Sequence, residues 1–196
     1  IFRRVSYSGA RVVVLTGAND NFCTGADLSG VGGGGDDGDA SPSILDGMRV
    51  LGEVVMNIYE CPLPVVAKVD GLCVGAGLGL ALASDLTWCT DRARFSAIFA
   101  KRGLSLDFGT SWLLRQRIGA HRAKELAFTA KMLGADDALA MGLVNAVVAA
   151  DDLDAAVAEL ADTIAAGPPV ALSMTKREIN HATTASLAQA LETEAL

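Results

Sequence analysis

The feature that most restricts the fold is a unit that occurs twice: a short β-branched run, then a glycine-containing turn. Residues 12–15 read Val-Val-Val-Leu and stop at Thr16-Gly17; residues 65–69 read Val-Val-Ala-Lys-Val and stop at Asp70-Gly71. Apolar runs this short and continuous are strands covered on both faces, as in parallel or mixed sheets. Thr24-Gly25-Ala26 follows the first run and Gly75-Ala76-Gly77 the second, which opens a short helix through Ala83. From Ile44, the apolar positions Leu45, Met48, Leu51, Val54, Val55 and Ile58 recur at three and four residues. That spacing predicts a helix with one buried face, ending before Cys61-Pro62-Leu63-Pro64. Residues 86–90 and 94–96 read as further strands, and 108–118 as a helix after Asp107. The pattern is repeated β-loop-α, so the chain is α/β.

Beyond Gly119 the chain reads as helices over 122–133, 135–141, 153–166 and 168 to about 180, with an extended piece at 143–148. Pro168-Pro169 suits a first helical turn, whose N–H groups lack partners in any case. Residues 29–41 are almost all Gly, Asp and Ser, which predicts a mobile surface loop. A chain of 196 residues suits one core. Because it opens at Ile1 without Met and reaches a buried-looking strand by Arg11, an N-terminal segment of the natural protein is expected to precede it.

Charge and cysteine usage exclude several function classes. A net charge of −7 repels phosphate backbones, so no nucleic-acid partner is expected. Cys23, Cys61, Cys73 and Cys89 form no C-x-x-C pair and accompany only two histidines, which fits neither a zinc site nor a disulfide framework and points to a reducing cytoplasm. No run approaches the roughly 18 to 20 apolar residues that span a bilayer, so no membrane association is expected.

The two glycine turns carry the first chemical possibility. Converging backbone N–H groups make an oxyanion hole, which stabilises charge developing on a carbonyl oxygen; the same turns are also ordinary strand-to-helix connections. A dinucleotide site fits poorly, since Gly75-Ala76-Gly77-Leu78-Gly79 has the wrong glycine spacing and no acidic residue about 20 positions on. Neither a P-loop nor a G-x-S-x-G elbow is present. Ser173-Met174-Thr175-Lys176 matches S-x-x-K without the accompanying motifs and reads as chance, and His121 and His181 read as surface or capping residues.

Three segments together, Phe22-Cys23-Thr24-Gly25-Ala26-Asp27-Leu28, Val69-Asp70-Gly71 with Gly75-Ala76-Gly77-Leu78-Gly79 through Asp85, and Gly134-Ala135-Asp136 through Asn145, resemble the crotonase superfamily, the enoyl-CoA hydratase/isomerase family. The resemblance runs from Arg11 to nearly the end. It implies a crotonase-like spiral of β-β-α units over residues 1–134, lacking its first strands, and a C-terminal helical trimerisation region over 135–196. It implies a homotrimer or dimer of trimers, and an acyl-CoA thioester as ligand. No metal and no separate cofactor are implied, since coenzyme A arrives as part of the substrate. The Ala26 and Ala76 N–H groups are implied to hold the thioester oxygen and stabilise an enolate. Thr24, Gly25, Asp27, Leu28, Gly75, Gly77, Phe99 and Phe108 are expected to form the surrounding substrate site, and Lys176 and Arg177 to meet the adenosine phosphates.

The chain departs from the family's hydratases where it matters for chemistry. Those enzymes hydrate a 2-enoyl thioester with two glutamates, whose positions here hold Gly79 and Phe99. Neither side chain exchanges protons. Asp107 stands where some isomerases of the superfamily carry an acid/base aspartate, and the segment resembles the dienoyl-CoA and epoxide isomerase branches. In an apolar pocket its pKa rises toward a useful range. Asp107 also reads as the N-cap of the helix expected from Phe108. Double-bond isomerisation is therefore favoured over hydration; hydration through other residues and a catalytically silent acyl-CoA-binding subunit are the alternatives.

Overall fold

The computed structural model describes residues 2–5, 8–25 and 44–195; Ala26, Asp27, Leu28 and the glycine-rich stretch 29–41 lie outside the described residues. In chain order the elements are α1 (Phe2–Val5), β1 (Val13–Thr16), α2 (Ile44–Tyr59), β2 (Val65–Val69), β3 (Leu72–Val74), α3 (Ala76–Ala83), β4 (Leu86–Thr90), β5 (Arg94–Ser96), a 3-10 turn (Ile98–Arg102) and α4 (Thr110–Thr129). They continue as β6 (Leu133–Gly134), α5 (Ala135–Met141), β7 (Ala146–Val148), a second 3-10 turn (Ala150–Asp152), α6 (Leu153–Ala166), α7 (Pro169–Ala182) and α8 (Leu187–Glu194).

Strand pairing makes this order a spiral. One sheet runs β1-β2-β4-β7, parallel throughout, and a second runs β3-β5-β6. Successive turns of chain therefore give one strand to each sheet: β2 then β3, β4 then β5. Cys23, bridged in parallel to Cys73, does the same for the turn after β1. Val65, Val66, Ala67 and Val69 are fully buried, as a central parallel strand with both faces covered requires. Helices α2, α3 and α4 enclose one core with Ile58, Leu78, Leu82, Phe95 and Leu114, while α6 covers the other sheet face, where Leu153 and Val157 meet Val66. Beyond the expected boundary at residue 134, α5 and β7 still belong to the body of the fold: Ala135 and Ala138 lie in the main core and β7 pairs with β4.

Two expectations shift for local reasons. The helix foreseen from Phe108 begins at Thr110, because Phe108 and Gly109 hold φ of 49° and 66°, left-handed values that an α-helix cannot contain. It bends at Gly119 (φ 75°), where the sequence placed a break, and ends at Ala130 (φ 45°), so that Leu133 passes to β6 rather than continuing the helix. The four cysteines are free thiols, and no single helix among the described residues is long and apolar enough to cross a membrane.

One polar contact pins the C-terminal helices to this frame. Lys176 Nζ, on α7, donates to Asp85 Oδ2 at 2.8 Å and to the carbonyls of Ile58 and Leu63 at 3.4 and 3.3 Å; Asp85 Oδ2 also accepts the Val65 N–H at 2.7 Å. The side chains are 8% and 25% exposed. Removing one partner of such a pair leaves a poorly solvated charge behind. Lys176→Met is therefore expected to cost about 3 kcal/mol, the low end for a buried pair because Asp85 keeps some water contact. Chemical denaturation measures it.

Candidate active site

The two glycine turns are brought together by strand register. The Cys23 N–H donates to the Leu72 carbonyl at 3.0 Å, and the Cys23 carbonyl accepts from the Val74 N–H at 3.0 Å. Two residues beyond Cys23 and Cys73 come Gly25 and Gly75, and three beyond come Ala26 and Ala76. Gly25 and Gly75 hold φ of 97° and 57°. A methyl group on Gly75 would stand 3.9 Å from Gly25 Cα, and one on Gly25 4.0 Å from the Ala76 nitrogen, so the turns abut. Ala76 is the first residue of α3. Its N–H has no partner within the helix and lies at the positive end of the helix dipole, a setting that favours a negatively charged oxygen.

A cavity of about 140 Å³ opens beside these turns, lined by Thr24, Gly25, Gly75, Ala76, Phe99, Asp107 and Phe108. All seven were named from sequence. Gly77 was named too but does not line it: its Cα faces Cys23, where an added Cβ would meet the Cys23 carbonyl oxygen at 2.3 Å, so this glycine serves the close packing of α3 on its neighbour. Ala26, Asp27 and Leu28 fall outside the described residues. Four further lining residues, Leu51, Ile98, Arg102 and Leu104, went unnamed. The periodicity of α2 marked Leu51 as buried-facing, but nothing in the sequence said that this face turns toward the glycine turns.

Among the described residues, Asp107 is the carboxylate that lines this cavity. Burial alone pushes its pKa above the usual carboxylate range; no neighbouring charge contributes. Its Oδ1 is buried and has no hydrogen-bond partner among the described residues, and the same holds for Thr110 Oγ1. The N-cap reading of Asp107 is thereby corrected: the N-cap position of α4 is Gly109, and no side chain caps the helix. Asp107 is held by its backbone instead, its carbonyl accepting the Thr110 N–H at 2.9 Å. The Thr110 hydroxyl, at 0% exposure, gains nothing from burial without a partner. Thr110→Val keeps the shape and removes that group, so a stability gain of up to about 1 kcal/mol is expected in thermal or denaturant melts.

A larger cavity of about 440 Å³ lies at the opposite end of α3, beside Asp85, Trp112 and Lys176. Its carboxylate is already engaged by Lys176. No group of three or more metal-ligating side chains occurs among the described residues.

A family model described as enoyl-CoA hydratase/isomerase matches residues 2–196. The chain belongs to the enoyl-CoA hydratase/isomerase family. It is 37% identical over 172 residues to a Rhodobacter capsulatus protein named "Probable enoyl-CoA hydratase", covering 86% of this chain and 63% of that one. It is 34% identical to the 1,2-epoxyphenylacetyl-CoA isomerase of Escherichia coli over 94% of this chain and 70% of the relative. Among solved structures, an enoyl-CoA hydratase/isomerase from Cupriavidus metallidurans matches with a TM-score of 0.89 and 32% identity, over 99% of this chain and 72% of that one. The chain thus spans about three fifths of the length of relatives such as the first of these, and the match establishes its crotonase-type α/β fold.

Against the family's hydratase pattern, both expected glutamate positions are closed. Phe99 is 5% exposed and presents an apolar wall to the cavity. At Gly79 a Cβ would lie 2.6 Å from Phe108 Cβ and 2.7 Å from the Phe108 carbonyl oxygen. The segment carrying Asp107 packs directly onto the glycine, filling the space that a hydratase side chain would need. The expectation for Lys176 is also corrected: its ammonium is turned inward to Asp85 and two carbonyls, leaving it no donor to offer a phosphate. Arg177 is exposed and leans on Met174. His121 and His181 are exposed, as their sequence context suggested.

Proposed function

We propose that the protein is an acyl-CoA enzyme that moves a double bond along an acyl thioester, with Asp107 as its single acid/base and the Ala26 and Ala76 N–H groups holding the thioester oxygen. The observation that carries this reading is that Asp107, whose buried Oδ1 has no hydrogen-bond partner among the described residues and whose pKa burial raises, lines the cavity onto which the two glycine turns open. In a 3-enoyl thioester, the Asp107 carboxylate takes a proton from C2. The electron pair of that C–H bond passes into a dienolate whose charge rests on the thioester oxygen, where paired N–H donors stabilise it. The Asp107 carboxylic acid then returns the proton to C4. One C–H bond breaks, another forms, the double bond moves from C3–C4 to C2–C3, and no oxidant or water is consumed.

Hydration asks for more: a base to activate water at C3 and an acid to protonate C2. The closure of Gly79 and Phe99 supports isomerisation over it. Incubation with a 3-enoyl-CoA and, separately, a 2-enoyl-CoA tests the reading. Migration without change of mass supports isomerisation, a 3-hydroxyacyl product means hydration through other residues, and binding without change favours the silent subunit.

Assembly as a homotrimer or dimer of trimers belongs to the same proposal. Val170, Ile179, Leu187 and Leu191 leave an apolar series exposed along α7 and α8, the kind of surface that a second copy covers. Light scattering is expected to give a mass of three or six chains, and Leu187→Asp with Leu191→Asp to lower it.

A further inference from the structure

Building on that reading, we infer that Arg102 selects thioesters whose short acyl chain ends in a second anionic group, a carboxylate. The cavity beside the glycine turns has an apolar wall of Leu51, Ile98, Phe99, Leu104 and Phe108, and among the described residues its ionisable lining side chains are Asp107 and Arg102. They are not each other's counter-ions. No ion pair or hydrogen bond engages the Arg102 side chain among the described residues, and no neighbouring cation offsets the effect of burial on Asp107. Arg102 is an exposed residue that also lines the chamber, and its guanidinium has no partner among the described residues. Its planar fork matches a carboxylate through two parallel hydrogen bonds, which a lysine cannot reproduce.

Size points the same way. Among the described residues the chamber is small, about 140 Å³, which suits a short acyl chain. An acyl chain that starts at the Gly25 and Gly75 turns enters a chamber whose lining includes Arg102. The plainer account of Arg102 is that basic residues suit the last turn of the 3-10 segment. Lys101 occupies that same turn without lining the cavity, so it serves as the control.

The test is calorimetric binding of glutaryl-CoA, pentanoyl-CoA and free coenzyme A to the full chain, needing no turnover. The wild type is expected to bind glutaryl-CoA about tenfold more tightly than pentanoyl-CoA, as one charge-assisted pair provides. Arg102→Leu is expected to erase that preference and leave pentanoyl-CoA within about threefold, while Lys101→Leu preserves it. Equal binding of the two thioesters by the wild type would overturn the inference and leave the acyl-CoA reading standing. A parallel loss for all three ligands in Arg102→Leu would overturn it as well, assigning the guanidinium to a coenzyme A phosphate. Failure of every ligand to bind would overturn the acyl-CoA reading itself.

Discussion

Asp107→Asn is expected to lower the rate of double-bond migration by about a thousandfold while leaving thioester affinity within about threefold. The amide keeps the size and polarity of the carboxyl, so the cavity and the glycine turns remain as they are; what is lost is the capacity to carry a proton. The pH profile follows from the same group. Burial raises the Asp107 pKa, and the step begins with the carboxylate, so the rate should rise with pH through a value above the usual carboxylate range. The stability effect has the opposite sign. A folded-state pKa above the unfolded one means that the folded protein binds this proton more tightly. The stability Asp107 contributes is full below the unfolded pKa and is lost as pH rises through the folded one. Asp107→Asn escapes that loss, so its melting temperature should gain on the wild type between acid and neutral pH. A variant that loses activity and stability together at neutral pH would point to a structural role instead.

Restoring a glutamate at Gly79 is expected to damage the protein rather than make a hydratase. The clash is at Cβ, 2.6 and 2.7 Å from Phe108 Cβ and its carbonyl oxygen, with Thr110 Oγ1 at 3.3 Å. Phe108 is already left-handed at φ 49°, so its backbone has little room to yield. A loss of about 3 kcal/mol is expected, which in a chain this long lowers the melting temperature by about 6–12 °C. Gly79→Ala should lose about as much, because the first side-chain carbon is the offending one. If alanine is tolerated and glutamate is not, charge burial rather than steric closure explains the position.

Much of this architecture is readable from sequence because short apolar runs bounded by Gly, Asp or Pro leave few alternatives. β2, β4, β5, α5 and α6 begin and end where the pattern places them. β3 escapes notice because three residues carry no periodicity; it is a strand through its partners, β5 and Cys23. α8 had a signal that went unused: Ser186 and Gln189 form a reciprocal capping box, legible as S-x-x-Q. At the site, the glycine turns and Asp107 could be named because each belongs to a local motif. The packing of Phe108 onto Gly79, the approach of Arg102 to the glycine turns and the burial of Lys176 join residues about 30 to more than 100 positions apart, and no local pattern encodes such meetings. Lys176 shows the risk most clearly, since a lysine on a C-terminal helix reads as a surface cation until its partner Asp85 is seen.

In the proposed reaction one carboxylate, Asp107, carries the proton from C2 to C4. The direct measurement is conversion of a 3-enoyl-CoA deuterated at C2, with the label located in the product by NMR, for the wild type and Asp107→Asn. Deuterium appearing at C4 in the wild-type product, with no migration in the variant, is the predicted result. A 3-hydroxyacyl product, or migration that persists in Asp107→Asn at the wild-type rate, would contradict it.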